Sequence, residues 1–157
     1  MKDDCATLTM QAMSDAAHAP VLSVIIPCYN ERATVAELLR RVNEVPIDKE
    51  IIVVDDKSTD GSKDVVAALA RQWPEIRHLL QPTNQGKGAA IRRGIQEARG
   101  DIVIIQDADL EYDPEEYPKL IQPMSAPEES TPRRKYAAVA STVFAASQSH
   151  GTVGGWT

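Results

Sequence analysis

The sequence predicts an α/β fold, a mostly parallel sheet with helices on both faces. Strand-like and helix-like runs alternate in the order βαβαβαβα, the pattern of strands joined by crossover helices. The strand runs, such as "EIIVVDD" and "DIVIIQ", are continuously apolar. Alternation would be expected if one face met water, so both faces are expected to be covered.

Each element has a local reason. "LSVIIPCYNE" contains a first strand over Val21 to Ile26, ended by Pro27, which has no N–H for a ladder. "TVAELLRRVNEV" sets Val35, Leu38, Leu39 and Val42 at i, i+3, i+4 and i+7, one face of a helix. "EIIVVDD" is the second strand. Asp60 is placed to cap a helix over Gly61 to Gln72, with Val65, Val66, Leu69 and Trp73 turned inward. "IRHLLQ" is a shorter third strand. "GKGAAIRRGIQEARG" is a helix with Ala90, Ile91, Gly94 and Ile95 inward and Gly100 as the C′ residue beyond its end. "DIVIIQ" is the fourth strand. "DPEEYPKLIQPM" opens a last short helix with Pro114 in its first turn.

The chain has 157 residues, enough for one domain. Hydrophobic residues at 43% and charged residues at 25% fit a packed core. A net charge of −6 argues against general nucleic-acid binding, which wants a basic face. It is compatible with a small anion held by a metal. Cys5 and Cys28 fit no metal-ligand spacing and read as free thiols of a reducing compartment. No apolar run reaches the ~18 residues that a membrane-spanning helix needs. Residues 1–19 lack the basic start and apolar centre of a signal peptide and are expected to form a flexible leader. Residues 20–124 form the α/β domain. Residues 125–157, rich in Ser, Ala, Thr and Pro, are expected to be a poorly ordered tail in which "YAAVASTVF" is the strand-like stretch.

In such sheets ligands bind beyond the carboxyl ends of the strands. The unusual polar residues fall there: Pro27 to Glu31 after the first strand, Asp55 and Asp56 after the second, Asp107 to Asp109 after the fourth. Asp107 and Asp109 flank Ala108, so on extended chain both reach one hard cation, Mn²⁺ or Mg²⁺. Such an ion takes oxygen ligands and keeps waters or phosphates in its shell. A solvated turn is the plainer alternative. One of Asp55 and Asp56 serves the local turn through Ser58 and Thr59. The other, if buried, needs a donor such as a nucleobase imino group. Gly86-Lys87-Gly88 at a helix start points to phosphate binding on backbone N–H groups, or to a tight turn with close helix–sheet approach. It matches neither GxxxxGKS/T nor GxGxxG. Arg92 and Arg93 read as solvated, and His18, His78 and His150 as incidental. Glu111 and Asp113 extend the acidic patch, where they hold water or sugar hydroxyls.

Together, "LSVIIPCYNE", "IIVVDDKSTDG", "NQGKGAAIRRG" and "QDADLEYDP" resemble the nucleotide-sugar-binding half of the family 2 inverting glycosyltransferases. The nearest subgroup is the polyprenyl-phosphate (dolichyl-phosphate) mannosyl- or glucosyltransferases, over Val21 to Met124. The resemblance implies the glycosyltransferase-A fold, whose sheet is Rossmann-like. It implies that Pro27, Tyr29 and Glu31 line the nucleoside pocket and that Val54 and Asp56 contact the base. Asp107 and Asp109 would be catalytic and hold Mn²⁺ or Mg²⁺, with Ala108 and Glu111 beside them. It further implies a GDP- or UDP-sugar donor, a lipid-phosphate acceptor, no nucleic acid, and a cytoplasmic protein meeting the membrane face peripherally through its acceptor.

After Met124 the expected Gly-Ser-Arg turn does not follow. The sequence therefore reads as a truncated product whose tail comes from a shifted frame, with the acceptor half missing and turnover weak or absent. Two alternatives stand beside this. One is a phospho-receiver domain with Asp107 as phospho-acceptor, since that class also carries an acidic pair after an early strand. The other is a catalytically inactive module that binds sugar nucleotides.

Overall fold

The computed structural model describes residues 22–122 and the backbone of Lys135–Ala137. The elements are β1 (Leu22–Cys28), α1 (Val35–Glu44), β2 (Lys49–Asp55), α2 (Ser62–Gln72), β3 (Ile76–Leu80), α3 (Lys87–Glu97), β4 (Ile102–Ile105), a 3₁₀ turn (Pro114–Glu116), α4 (Tyr117–Ile121) and β5 (Lys135–Ala137). All described strands run parallel in the order β3-β2-β1-β4-β5. The predicted architecture is present. His18, His150, Cys5, the leader and most of residues 125–157 lie outside the described residues.

The sheet is covered twice, as its unbroken apolar strands require. Leu22, Val24, Ile26, Ile51, Val53 and Ile104 join the buried face of α1, including Val35, Leu38, Leu39 and Val42. Ile25, Ile52, Val54 and Val103 point the other way, against Ala90 and Ala98 in and beside α3. Helix α3 lies close to β1. A Cβ on Gly94 would come 2.4 Å from Cγ2 of Ile25.

Three local expectations need correction. Pro27 does not end β1, which continues to Cys28 with Pro27 opposite Val54. Gln106 N–H donates to the Ile25 carbonyl and Asp56 N–H to the Cys28 carbonyl. In a parallel strand alternate residues bond to opposite neighbours, so Pro27 turns its nitrogen toward the β4 side. Pairing with β4 stops at Ile25 and Ile105, and no ladder bond is lost. Second, Gly61 rather than Asp60 is the N-cap of α2. The Asp60 carboxylate still accepts from the Ser62 N–H at 2.9 Å, capping the helix from one residue further out. Third, Gly100 is not the C′ residue of α3, which ends at Glu97 with Ala98 as its cap. Gly100 is needed for close approach instead. Its N–H donates to Ser23 Oγ at 2.8 Å, and a Cβ there would sit 2.8 Å from backbone atoms of Leu22 and Ser23.

The topology also decides against the phospho-receiver alternative. Receivers have strand order 2-1-3-4-5, which puts the acidic-pair strand beside the phospho-acceptor strand. Here β1 separates β2 from β4.

Because the atoms crowding Gly100 are backbone, Gly100→Ala is expected to cost about 1–3 kcal/mol, the range for overpacking a closed site. Urea unfolding checks this. Gly88→Ala, inside α3 where an added Cβ meets only the end of Arg92 at 3.5 Å, is the unhindered control, expected to be neutral to stabilising because alanine suits a helix better than glycine.

Candidate active site

The carboxyl ends of β1, β2 and β4 are neighbours in the sheet and carry the predicted polar residues to one edge. Each of the three is followed by a non-glycine residue at positive φ: Asn30 (56°), Lys57 (68°) and Leu110 (64°). Such conformations cost energy and persist where the surroundings over-determine them, commonly at functional sites. Here the surroundings are visible. Asn30 N–H donates to Ser58 Oγ at 3.0 Å, Glu31 N–H to Ser62 Oγ at 2.9 Å, and Thr59 N–H to Asn30 Oδ1 at 2.8 Å. The β1 and β2 loops are thereby fastened together.

Asp55 and Asp56 are both buried, at 1% and 3% exposure. Asp55 Oδ1 accepts from the Ser58 N–H at 2.8 Å, the local turn expected of one member. Within the protein, the donors for Asp56 are backbone N–H groups. Gln85 N–H reaches Oδ1 at 2.8 Å and Gly86 N–H reaches Oδ2 at 2.7 Å. Gly86 has φ 85° and ψ 162°, a region open almost solely to glycine. The glycine turn is thus gripped by Asp56 through the Gln85 and Gly86 N–H groups. Each carboxylate oxygen retains a second acceptor position.

Lys87, the first residue of α3, sets its Nζ 2.6 Å from Asp107 Oδ1. The loop carrying Asp107 is held from behind. Gln106, 1% exposed, donates through Nε2 to the Asp107 carbonyl at 3.1 Å and accepts from Tyr117 O–H at 2.8 Å. Asp109 is exposed, and its Oδ1 accepts the Glu111 N–H at 3.1 Å. Tyr29 is 48% exposed, and the Glu31 carboxylate accepts from Thr34 Oγ1 at 3.0 Å. Pro27, Val54 and Ala108 are buried. Val54 is fully enclosed on the α3 side, so its side chain offers no surface to a base. Arg93, read as solvated, donates to the Leu80 carbonyl at 2.6 Å.

Asp107 and Asp109 offer carboxylate oxygens, the donor type that a hard divalent ion takes, and no group of three or more His, Cys, Asp or Glu side chains gathers among the described residues. A pair leaves most of the coordination shell for water and phosphate, as Mg²⁺-type ions prefer. The Lys87 ammonium shows that the Asp107 carboxylate already attracts a cation.

Beneath the edge, Asp55 Oδ2 and His78 Nε2 are buried without hydrogen-bond partners. Burial lowers the His78 pKa, against a pull upward from Asp55. Burial, then the charges of Asp55 and Glu31, push the Cys28 thiol from 9.0 up to about 12.

The sequence model of the family described as Glycosyl transferase family 2 matches residues 23–149. The chain belongs to glycosyl transferase family 2. The match extends past Met124, while the alignments to curated relatives cover 103 to 107 residues of the chain. Among curated relatives, the undecaprenyl-phosphate 4-deoxy-4-formamido-L-arabinose transferase of Pseudomonas aeruginosa is 41% identical over 107 residues, covering 65% of this chain and 32% of that protein. The dolichol-phosphate mannosyltransferase of Pyrococcus furiosus is 39% identical over 103 residues, covering 64% and 29%. The chain therefore spans about a third of the length of these family members. Its fold is shared with the mannosyltransferase PcManGT from Pyrobaculum calidifontis, solved with GDP-Man and Mn²⁺ (TM-score 0.63, 28% identity, 71% of this chain and 34% of that one). It is also shared with glucosyl-3-phosphoglycerate synthase from Mycobacterium tuberculosis, solved with Mn²⁺, UDP and glucosyl-3-phosphoglycerate (TM-score 0.57, 28% identity, 69% and 41%). No helix among the described residues is long and apolar enough to cross a membrane.

Two outcomes are expected. Asp56→Ala removes the acceptor for two N–H groups and is expected to cost about 1.5–3 kcal/mol, the range for bonds to a charged partner. Hydrogen exchange checks the location, with protection lost at Gln85 and Gly86 before the sheet. The Cys28 thiol stays protonated in the fold where the unfolded chain ionises. The stability it contributes is complete below pH 9.0 and lost as pH rises toward about 12. Iodoacetamide labelling read by mass spectrometry is expected to leave the Cys28 peptide unmodified at pH 8.5 until denaturant is added.

Proposed function

We propose that the chain is the donor-binding part of an inverting glycosyltransferase that moves a hexose from a GDP- or UDP-sugar to a polyprenyl phosphate. The observation that carries this reading is the meeting of groups from β1, β2 and β4 at one sheet edge, with the Asp107 carboxylate already paired to a cation. Family membership supports it, as do the ligands named for the two structural neighbours and the lipid phosphates in the relatives' names.

In this reading Tyr29 and Glu31 border the nucleoside, with Pro27 beneath them. Asp56 receives the base imino group on an acceptor position not used by Gln85 and Gly86. Asp107 and Asp109 would hold Mn²⁺ or Mg²⁺, which when bound would supply positive charge against the leaving diphosphate. Glu111 stands beside them at the sugar side. The acceptor phosphate is ionised at neutral pH, so it needs no strong general base from the protein. Its oxygen bonds to the anomeric carbon as the carbon–oxygen bond to the diphosphate breaks, and the electron pair leaves with the diphosphate. A single displacement of this kind inverts the anomeric centre. Because the acceptor is a membrane lipid, transfer takes place at the cytoplasmic membrane face.

Calorimetric titration with GDP-mannose and UDP-glucose, with and without Mn²⁺, tests the proposal. One nucleotide is expected to bind more tightly with Mn²⁺, and Asp107→Asn with Asp109→Asn to abolish the cation-dependent gain. A protein saturated at 100 times Kd gains about 2.7 kcal/mol of stability, so a thermal shift accompanies binding. No heat and no shift with any sugar nucleotide would sink the reading.

A further inference from the structure

We propose that Lys87 is an internal stand-in cation for Asp107, occupying that carboxylate until a divalent ion displaces it. The inference rests on the reading of Asp107 and Asp109 as a metal site and concerns how that site is filled.

The pair is asymmetric in a way that suits displacement. Nζ lies 2.6 Å from Oδ1, but the Lys87 side chain is 58% exposed and the Asp107 side chain only 19%. The carboxylate is the sheltered partner, in need of a counter-charge. The lysine has a flexible four-carbon stem and water on its outer side, so it swings away without leaving a buried charge of its own. Its root does not move with it. Lys87 follows Gly86, whose N–H is held at 2.7 Å by buried Asp56, and it opens α3, which packs on β1 through Gly94. A fixed root and an exposed tip make the ammonium a local competitor at constant effective concentration. A divalent ion that takes Oδ1 as a ligand displaces this contact, and its charge beside Asp107 repels the ammonium.

Binding of Mn²⁺ to nucleotide-free protein, followed by loss of the free-ion electron paramagnetic resonance signal, tests this. Lys87→Met is expected to bind Mn²⁺ about two- to five-fold more tightly than wild type, the equilibrium factor of an exposed ion pair. Lys87→Arg, which keeps the charge, is expected to stay near wild type, and Asp107→Asn to bind most weakly. In parallel, acetylation of Lys87 by an amine-reactive ester, read by mass spectrometry, is expected to speed up when Mn²⁺ is added to wild type but not to Asp107→Asn. If Lys87→Met binds Mn²⁺ no more tightly than wild type while Asp107→Asn still loses it, the stand-in role fails and the metal site survives. If Asp107→Asn binds Mn²⁺ like wild type, the metal site fails and the stand-in role with it.

Discussion

The arrangement at the carboxyl edge depends on one buried carboxylate. Asp56 is nearly inaccessible, and a charge in that position must be matched by donors. Its donors come from another loop: the N–H groups of Gln85 and Gly86, 29 and 30 residues away in sequence. This grip joins the end of β2 to the start of α3. From there Lys87 reaches Asp107 beyond β4. On the opposite side, Ser58 and Ser62 receive the chain leaving β1. The acidic groups thus sit on loops tied to one another as well as to their own strands, which is how residues at positive φ are held in place.

The amino edge uses a buried acid differently. Glu50 accepts from Ser23 Oγ at 2.6 Å, from the Arg99 N–H and from the Arg77 guanidinium at 3.1 Å. Burial opposes ionisation there, yet these donors hold the carboxyl below its usual range. All its partners belong to the protein. At the carboxyl edge, Asp109 and Glu111 stay exposed. The contrast separates an acid that completes the fold from acids that remain available.

Much of this was legible in the sequence because it depends on short range. The unbroken apolar runs gave β2 and β4, and Val35, Leu38, Leu39 and Val42 are all buried as their spacing required. The acidic residues lie at the expected strand ends. What the sequence hid depends on partners brought by the fold. Whether Pro27 interrupts β1 turns on where β4 stops. The donors to Asp56 and the Lys87 contact require the placement of a distant loop. The Gln106–Tyr117 bond had only a faint signal, a polar residue closing an apolar strand and an aromatic residue in an acidic turn.

Gly94 touches none of the acidic groups, yet it bears on them. It lets α3 settle onto Ile25 with no side chain between, and Lys87 stands about two helical turns further along the same rigid rod. The thickness of the seam at Gly94 thus sets the height of the backbone from which the ammonium reaches the rim. A single methyl there would act as a wedge under a lever, lifting the far end away from Asp107. A small residue in the middle of a layer interface thereby becomes a calibration point for charge at the protein's surface.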